Sequence, residues 1–298
     1  MSASQTGRLR VPGAVLHYKV RGSGPLLLLL PSGGGDADTP DGIADVLAER
    51  YTVLSYDRRG LSRSGLDDDA PPPCLETHSD DAQRLLASRT EHRALVFGCS
   101  TGAVIGLDLA LRHPGRVRTL VAHEPPAVTL LDAAEREAAL RLQERMEATY
   151  RAEGRISALR TYAKALGGGL MDREPGVVWS RPGPREIANM DRFLAHDAGA
   201  TCRYSLTRVG RAALRTSPVR IVPAVGASSA RSTAYQGAVA LAGLLACEPV
   251  EFPGGHEGYL THPRAFSAAL HALLDGSATP PSVPTSPAAP SAPAHRSA

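Results

Sequence analysis

The pentapeptide Gly-Cys-Ser-Thr-Gly at residues 98–102 is the feature that most restricts how this chain folds. It ends a β-type run, "ALVFGCS", and opens an amphipathic helical stretch at 101–112. A sharp strand-to-helix turn needs small residues two positions before and after the serine, because larger side chains would collide where the chain doubles back. Such a turn raises the Ser100 hydroxyl above a sheet edge, beside the free N–H groups of a helix start. The alternative is an ordinary turn in which Ser100 only caps the helix.

Short β-type runs and helical stretches alternate on both sides of this turn, which predicts an α/β fold with a doubly wound, mostly parallel sheet. "RLRVPGAVLHYKVRG" predicts a hairpin that turns at Pro12 and Gly13. "LLLLL" predicts a central strand, since a membrane helix needs roughly 20 apolar residues. Further strands are predicted at 51–57, 94–100, 117–124, 219–227 and 249–255, and helices at 40–50, 79–90, 101–112, 232–246 and 263–274.

The alternation breaks between residues 125 and 217, where the sequence predicts helices, a Gly/Pro-rich passage with turns at 167–169 and 181–184, and a second helical stretch at about 184–197. This stretch is too long for a loop, so we interpret 125–217 as a helical cap inserted into a core formed by 1–124 and 218–276. Apolar cap residues at helical spacing are more often core than pocket lining. They are Met146, Tyr150, Tyr162, Met171, Trp179, Met190 and Phe193.

The last segment, 277–298, is rich in Pro, Ala and Ser and is predicted to be disordered. Because it has little apolar surface with which to dock, truncation after Gly276 should leave activity and solubility unchanged. Assays of the full-length and truncated chains would check this, and a loss of either property would contradict it.

Composition excludes several classes of protein. The formal net charge is only +3, basic residues are dispersed, and aromatic residues make up 4% of the chain, which argues against a nucleic-acid surface. The N-terminus has no secretory pattern. Four cysteines without paired or metal-type spacing indicate reduced thiols in a cytoplasmic protein. No membrane partner, metal or organic cofactor is implied, and the oligomeric state is not indicated.

Two further segments, together with 98–102, carry a resemblance to a known family. "SYDRRGLSRSG" at 55–65 resembles the segment after the fourth strand of α/β-hydrolase superfamily members, and "FPGGHEGYLTHP" at 252–263 resembles their histidine loop. The chain is therefore similar, over residues 9–274, to bacterial serine hydrolases of this superfamily that carry a helical cap. The resemblance implies the fold and a catalytic layout, but no particular substrate.

By this resemblance Ser100 is the nucleophile and His256 the general base. One oxyanion donor is expected from the loop "PSGGGDAD" at 31–38. Aligning Pro31 and Ser32 with the family's His-Gly pair makes the Gly33 N–H the donor beside that of Thr101, with Gly34 as the one-residue alternative.

The catalytic acid is absent from its usual position. Most relatives carry an aspartate in the loop that here reads "VGASSARS", where Ser228 or Ser229 aligns, and residues 198–247 contain no Asp or Glu. Glu124 ends the preceding predicted strand, from which some superfamily members take their acid, and is our candidate. The alternative is that His256 works without a carboxylate while Glu124 faces the substrate or cap. Asp57 is a weaker candidate, more simply explained as an ion-paired turn residue.

A serine at the turn, where related dehalogenases and epoxide hydrolases have an aspartate, indicates acyl chemistry. The leading hypothesis is a hydrolase of a small-molecule ester, thioester or lactone. The same Ser–His machinery in a sealed pocket could serve a biosynthetic acyltransferase, cyclase or lyase of natural-product metabolism. A non-catalytic ligand-binding protein is the third possibility, which the missing strand-end acid would permit.

Overall fold

The computed structural model describes residues 4–165, 172–178, 181–229 and 232–276. Within these residues, strands form one sheet in the order β1-β2-β4-β3-β6-β7-β8-β9, with the short β5 paired to β2. β1, β4 and β5 run antiparallel to β2, whereas the pairs β4–β3, β3–β6, β6–β7, β7–β8 and β8–β9 are parallel. The predicted α/β class with a mostly parallel sheet is confirmed.

The strand bounds lie within three residues of the predicted runs, including the hairpin turn at Pro12 and Gly13, except for the short β5, which was not predicted. The strands are β1 Gln5–Val11, β2 Ala14–Arg21, β3 Leu26–Leu30, β4 Thr52–Tyr56, β5 Gly65–Leu66, β6 Ala94–Cys99, β7 Val117–His123, β8 Arg220–Gly226 and β9 Val250–Phe252. The α-helices of the described residues are α1 Asp41–Leu47, α2 Leu75–Ala87, α3 Thr101–Arg112, α4 Ala133–Glu153, α5 Arg155–Ala165, α6 Pro184–Arg192, α7 Ala198–Arg203, α8 Arg208–Arg215, α9 Thr233–Leu245, α10 Gly258–Thr261 and α11 Pro263–Leu274.

The prediction for α2 was wrong at its start. The helix begins at Leu75, and Ser79 lies inside it, fully buried. The observed helix ends at Ala87, so it starts four residues before and ends three residues before the predicted bounds, 79–90.

The five leucines of β3 explain why helices cover both faces of the sheet. Side chains alternate along a strand, so Leu28 and Leu30 join the apolar cluster formed with α2, α3 and α9, whereas Leu27 and Leu29 join the cluster formed with α1 and α11. Each fully buried leucine contributes about 1.5–3 kcal/mol relative to an exposed one. A strand that is apolar on both faces is stable only at the centre of such a three-layer arrangement.

The parallel register brings three strand ends to one point on the sheet edge. Cys99 at the end of β6 pairs with His123 at the end of β7, which pairs with Ala224 near the end of β8. Residues that follow these strands, Ser100 and Glu124, therefore lie side by side. This edge is where open α/β sheets bind ligands.

Helices α4 to α8 lie between β7 and β8, in the segment 125–217 that we call the cap segment. Asp132 caps the start of α4, since its side chain accepts from the Glu135 N–H, and Thr207 caps the start of α8, since its hydroxyl accepts from the Gly210 N–H. The predicted helical stretch at 184–197 extends further, because a π-helical turn, Phe193–Asp197, joins α6 to α7. The division of the chain into core and cap stays a prediction.

Several predicted features fall outside the described residues: the disordered segment 277–298, the turn at 167–169, Met171 and Trp179. No helix in the described part of the chain is long and apolar enough to cross a membrane.

Candidate active site

Ser100 occupies a strained turn between β6 and α3. Its φ of 54° lies in the region that non-glycine residues rarely adopt, and its N–H donates to His123 O at 2.9 Å. A Cβ atom at Gly98 would lie 2.5 Å from Gly102 O, and one at Gly102 would collide with Leu30 O. The two glycines are therefore required by close backbone approach, the reason inferred from the sequence.

Glu124 lies directly after β7 and, like Ser100, has a positive φ, 46°. Its N–H donates to Ala224 O at 2.9 Å, and its Oε1 accepts from the Gly226 N–H at 2.8 Å. Its Oε2 is 2.8 Å from His256 Nδ1. The Glu124 side chain thus crosses from the end of β7 over the end of β8 to reach the imidazole.

The pair Glu124 and His256 is almost completely buried, with 0% and 5% of their surfaces exposed. Burial opposes ionisation of Glu124, but the hydrogen bond and charge of His256 outweigh it and lower the pKa of the carboxyl. Burial likewise opposes protonation of His256, but the Glu124 hydrogen bond and the nearby Glu257 and Glu124 charges raise the pKa of the imidazole above 6.5. The arrangement stabilises the ion pair that forms whenever His256 takes up a proton.

The other nitrogen of His256, Nε2, is buried and has no hydrogen-bond partner among the described residues. The backbone of its loop packs onto the Ser100 turn, since the Cys99 Sγ donates to His256 O at 3.2 Å. With Nδ1 occupied by Glu124, Nε2 is the nitrogen left to exchange a proton with a neighbouring group.

The loop 31–35 lies against the start of α3, because a Cβ atom at Gly102 would meet both Leu30 O and Pro31 O. Within the described residues, neither Gly33 nor Gly34 donates its N–H to a hydrogen bond, and the Thr101 N–H, at the first position of α3, has no partner within the helix. Among the residues that the structure describes, these three proposed oxyanion donors have no hydrogen-bond partner. Because both N–H groups lack a partner among the described residues, hydrogen bonding does not show which of Gly33 and Gly34 is the donor.

The weaker acid candidates are engaged elsewhere or exposed. The buried Asp57 carboxylate accepts from the Arg63 guanidinium at 2.7 and 2.8 Å and from the Ala37 N–H at 2.8 Å. Asp57 is an ion-paired turn residue, although its partner is Arg63 and not the adjacent arginines. Ser228 is exposed, and its N–H donates to Gly254 O at 3.0 Å.

His123 lies beneath the site in an aromatic cluster. Its ring meets those of Phe252 and Phe266 edge-on, at centroid distances of 5.9 and 5.4 Å. Complete burial lowers the pKa of His123 to about 4, so the ring is neutral and structural. His113 ends α3 and contacts Asp80 through Nε2 at 2.9 Å.

A cavity of about 70 Å³ opens at Ser100 between the sheet edge and the cap segment, and its walls are mostly apolar. Met146, Tyr162 and Phe193 line it, whereas Tyr150 and Met190 pack in the same cap cluster. The Tyr162 hydroxyl interacts with Ser100, and burial together with the Glu257 charge raises the pKa of Tyr162. The cap segment therefore supplies much of the surface that a ligand at Ser100 would contact.

Sequence reasoning missed three contacts at this site. The Ser32 hydroxyl donates to Glu257 Oε2 at 3.0 Å and lies 3.1 Å from the Tyr259 hydroxyl, and Arg58 donates to Gly33 O. The acidic residue Glu257, directly after His256 in the sequence, is the feature that could have indicated the contact with Ser32. Within the described residues, no group of three or more His, Cys, Asp or Glu side chains is arranged to hold a metal ion.

Comparison with known proteins gives a consistent result. A family model described as "alpha/beta hydrolase fold" matches residues 25–263. The chain is 42% identical over 272 residues to an uncharacterized hydrolase, YraK, of Bacillus subtilis (strain 168), covering 90% of this chain and 96% of the relative.

Two solved structures share the fold. A thermophilic esterase from Thermogutta terrifontis superimposes with a TM-score of 0.68 at 19% identity, covering 92% of this chain and 100% of that one. An enol-lactonase from Burkholderia xenovorans LB400 superimposes with a TM-score of 0.66 at 22% identity, covering 90% of this chain and 100% of that one.

Proposed function

Because the chain belongs to the α/β-hydrolase family, we propose that this hydrolase cleaves a small-molecule ester, thioester or lactone through an acyl-enzyme on Ser100. The observation that carries the proposal is the buried hydrogen bond between Glu124 and His256 beside the strained Ser100 turn. A buried imidazole that is oriented at Nδ1 by a carboxylate and open at Nε2 is the arrangement a serine nucleophile requires. The fold likeness to an esterase and an enol-lactonase is compatible with this reaction class.

In the proposed mechanism, His256 Nε2 removes the proton from Ser100 as the hydroxyl attacks the substrate carbonyl. Glu124 balances the imidazolium charge without itself becoming protonated. The N–H groups of Thr101 and of Gly33 or Gly34 stabilise the oxyanion. The proton then passes from His256 to the leaving group, and a water molecule, activated in the same way, hydrolyses the acyl-enzyme.

The cavity suggests the chemical class of the acyl group. Its walls are mostly apolar, with contributions from Met146, Phe193 and Val128, and its volume of about 70 Å³ is small. We therefore expect a compact, uncharged acyl or lactone portion to lie against the cap segment. We expect polar residues of the lining, which include Tyr162 and Gln143, to contact oxygen atoms of the substrate.

A two-part experiment tests the proposed function. A fluorophosphonate probe should label Ser100, because phosphonylation requires an activated hydroxyl, and Ser100→Ala should not be labelled. A panel of esters, thioesters and lactones of varied acyl length should then show turnover that declines as the acyl chain outgrows the cavity.

Other outcomes would separate the alternatives. Labelling of Ser100 without hydrolysis of any panel member would favour an acyltransferase, cyclase or lyase that excludes water. A Ser100 that does not react with the probe would overturn the proposal and favour a ligand-binding protein of the same fold.

The raised pKa of His256 predicts the pH dependence of turnover. His256 must be neutral to accept a proton, so kcat/KM should rise with pH and reach half its maximum above pH 6.5. Substituting Glu257→Gln removes one charge that raises this pKa and should move the midpoint towards lower pH. Profiles of kcat/KM against pH for the two proteins would check this. A parent midpoint at or below 6.5, or an upward shift in the variant, would contradict it.

A further inference from the structure

Arg58 is a buried cation whose counter-charge comes from the cap segment. Its side chain is almost wholly inaccessible, and its Nη2 lies 3.4 Å from Asp197 Oδ2. The neighbouring charges in its own turn are already paired: the carboxylate of Asp57 is held by Arg63, and Arg59 binds Asp81 at 2.6 Å through two nitrogens. Asp197 is thus the carboxylate that faces Arg58.

The same Nη2 donates to Gly33 O, in the loop 31–35 that carries the proposed oxyanion donors. A trans peptide points its C=O and N–H in opposite directions. Holding Gly33 O towards Arg58 therefore turns the Gly34 N–H away from Arg58. The preceding peptide is held in a similar way, because Ser32 O accepts from the Gly35 N–H at 2.9 Å. Both carbonyls of the loop are anchored, and the N–H groups of Gly33 and Gly34 remain unpaired among the described residues.

One π-helical turn of the cap segment, Phe193–Asp197, acts on this loop both by direct contact and through Arg58. Residues four apart share one side of a helical turn. The Phe193 ring packs on Gly33, where a Cβ atom would lie 2.8 Å from the ring, and the same ring lines the cavity at Ser100. Asp197, at the other end of the turn, faces Arg58. One turn of the cap therefore holds the Gly33 peptide directly and through the guanidinium.

Stability does not explain why an arginine occupies this position. Arg58 Nε and Nη1 are buried without hydrogen-bond partners in the described part of the chain, and burying a partly unsatisfied charge is unfavourable. An apolar side chain of similar length would fill the space without that cost. An apolar side chain would, however, have no N–H group to donate to Gly33 O.

From these contacts we infer that Arg58 is a positioning residue, which fixes the oxyanion loop in its working orientation and couples that orientation to the cap segment through Asp197. This inference rests on the proposed function, since it assigns a role in stabilising the oxyanion. Arg58 itself does not contact the substrate. It acts on the transition state through the peptide between Gly33 and Gly34.

The test is the variant Arg58→Met, which keeps the length of the side chain and removes its donors. Removing one oxyanion donor outright lowers kcat by about 100- to 1000-fold, so a misoriented donor should lower kcat by roughly 10- to 100-fold. Because the apolar walls of the cavity are unchanged, KM should stay within about twofold. The second-order rate of Ser100 phosphonylation should fall with kcat, since the phosphonyl oxygen occupies the oxyanion position. Thermal unfolding should show Tm unchanged or raised.

Matched variants separate positioning from general damage. Arg63→Met removes a guanidinium from the same turn without touching Gly33 and should keep parent values of kcat. Asp197→Asn should lower kcat by about threefold to tenfold at constant KM. The double variant Arg58→Met/Asp197→Asn should resemble Arg58→Met alone, because the two residues act through one contact.

A folded Arg58→Met enzyme with kcat within twofold of the parent, or with its loss confined to KM, would overturn the inference. If Arg58→Met does not fold, Asp197→Asn decides, and parent values of kcat there would overturn it equally. Failure of the proposed function would look different, because the parent protein itself would then not react with the fluorophosphonate probe.

Discussion

Replacing Ser100 with alanine should abolish turnover while leaving the fold intact. Removing the nucleophile of a serine hydrolase lowers kcat by about a millionfold, which would leave no measurable activity with ordinary esters. Alanine fits the turn, because the close approach involves the backbone of Gly98 and Gly102 and leaves room for a small side chain at position 100. The strain of the positive φ at this position is also the same for serine and alanine.

Initial rates with the best panel substrate and thermal unfolding of the purified variant would check this expectation. Ser88→Ala, which removes a hydroxyl at the end of α2, is the matched control and should behave as the parent. Retention of more than a few per cent of activity in Ser100→Ala would mean that the nucleophile lies elsewhere.

The second large effect is expected for Glu124→Gln. The amide preserves the shape of the side chain but neither balances an imidazolium nor enforces the tautomer of His256. We expect kcat to fall by roughly two to four powers of ten, about 3 to 5 kcal/mol of transition-state stabilisation. The midpoint of the pH profile should also move to lower pH, because the hydrogen bond that raises the pKa of His256 is weakened.

Steady-state kinetics over a range of pH would measure both effects, with Glu251→Gln on the exposed face of β9 as the control. In the Glu124→Gln background, Ser228→Asp should restore part of the lost activity by supplying an acid after β8. A Glu124→Gln enzyme with activity within about threefold of the parent, a change of less than roughly 0.7 kcal/mol in the activation free energy, would contradict the assignment of Glu124 as the catalytic acid. A Ser–His dyad would then be the better account.

Sequence patterns predicted those parts of the molecule that depend on local rules. The glycines at 98 and 102 predicted the sharp turn, and the apolar run of β3 predicted a strand buried on both faces. Glu124 was reached through the resemblance to superfamily members that take their acid from the end of this strand, with Asp57 as the weaker candidate. The hydrogen bond of Glu124 to His256 is the geometry that this reasoning anticipated.

Other features depend on contacts between distant segments and were not predictable in this way. Arg58 faces Asp197, which lies 139 residues later in the chain. Asp197 belongs to a π-helical turn that has no sequence signature. Asp57 pairs with Arg63 because the turn after β4 folds back on itself, which brings the more distant arginine closer than the adjacent ones. Such pairings are set by tertiary geometry, not by proximity in sequence.

The position of Glu124 also changes what the loop after β8 has to do. In the described part of that loop, the backbone holds the histidine loop, since the Ala227 N–H donates to Phe252 O and the Ser228 N–H to Gly254 O, both at 3.0 Å. The exposed side chains of Ala227 and Ser228 make no hydrogen bond to His256 in the described structure. Substitutions at these two positions should therefore have little effect on the contact between Glu124 and His256. The loop is therefore a place where side chains can be exchanged without removing the hydrogen bond between Glu124 and His256.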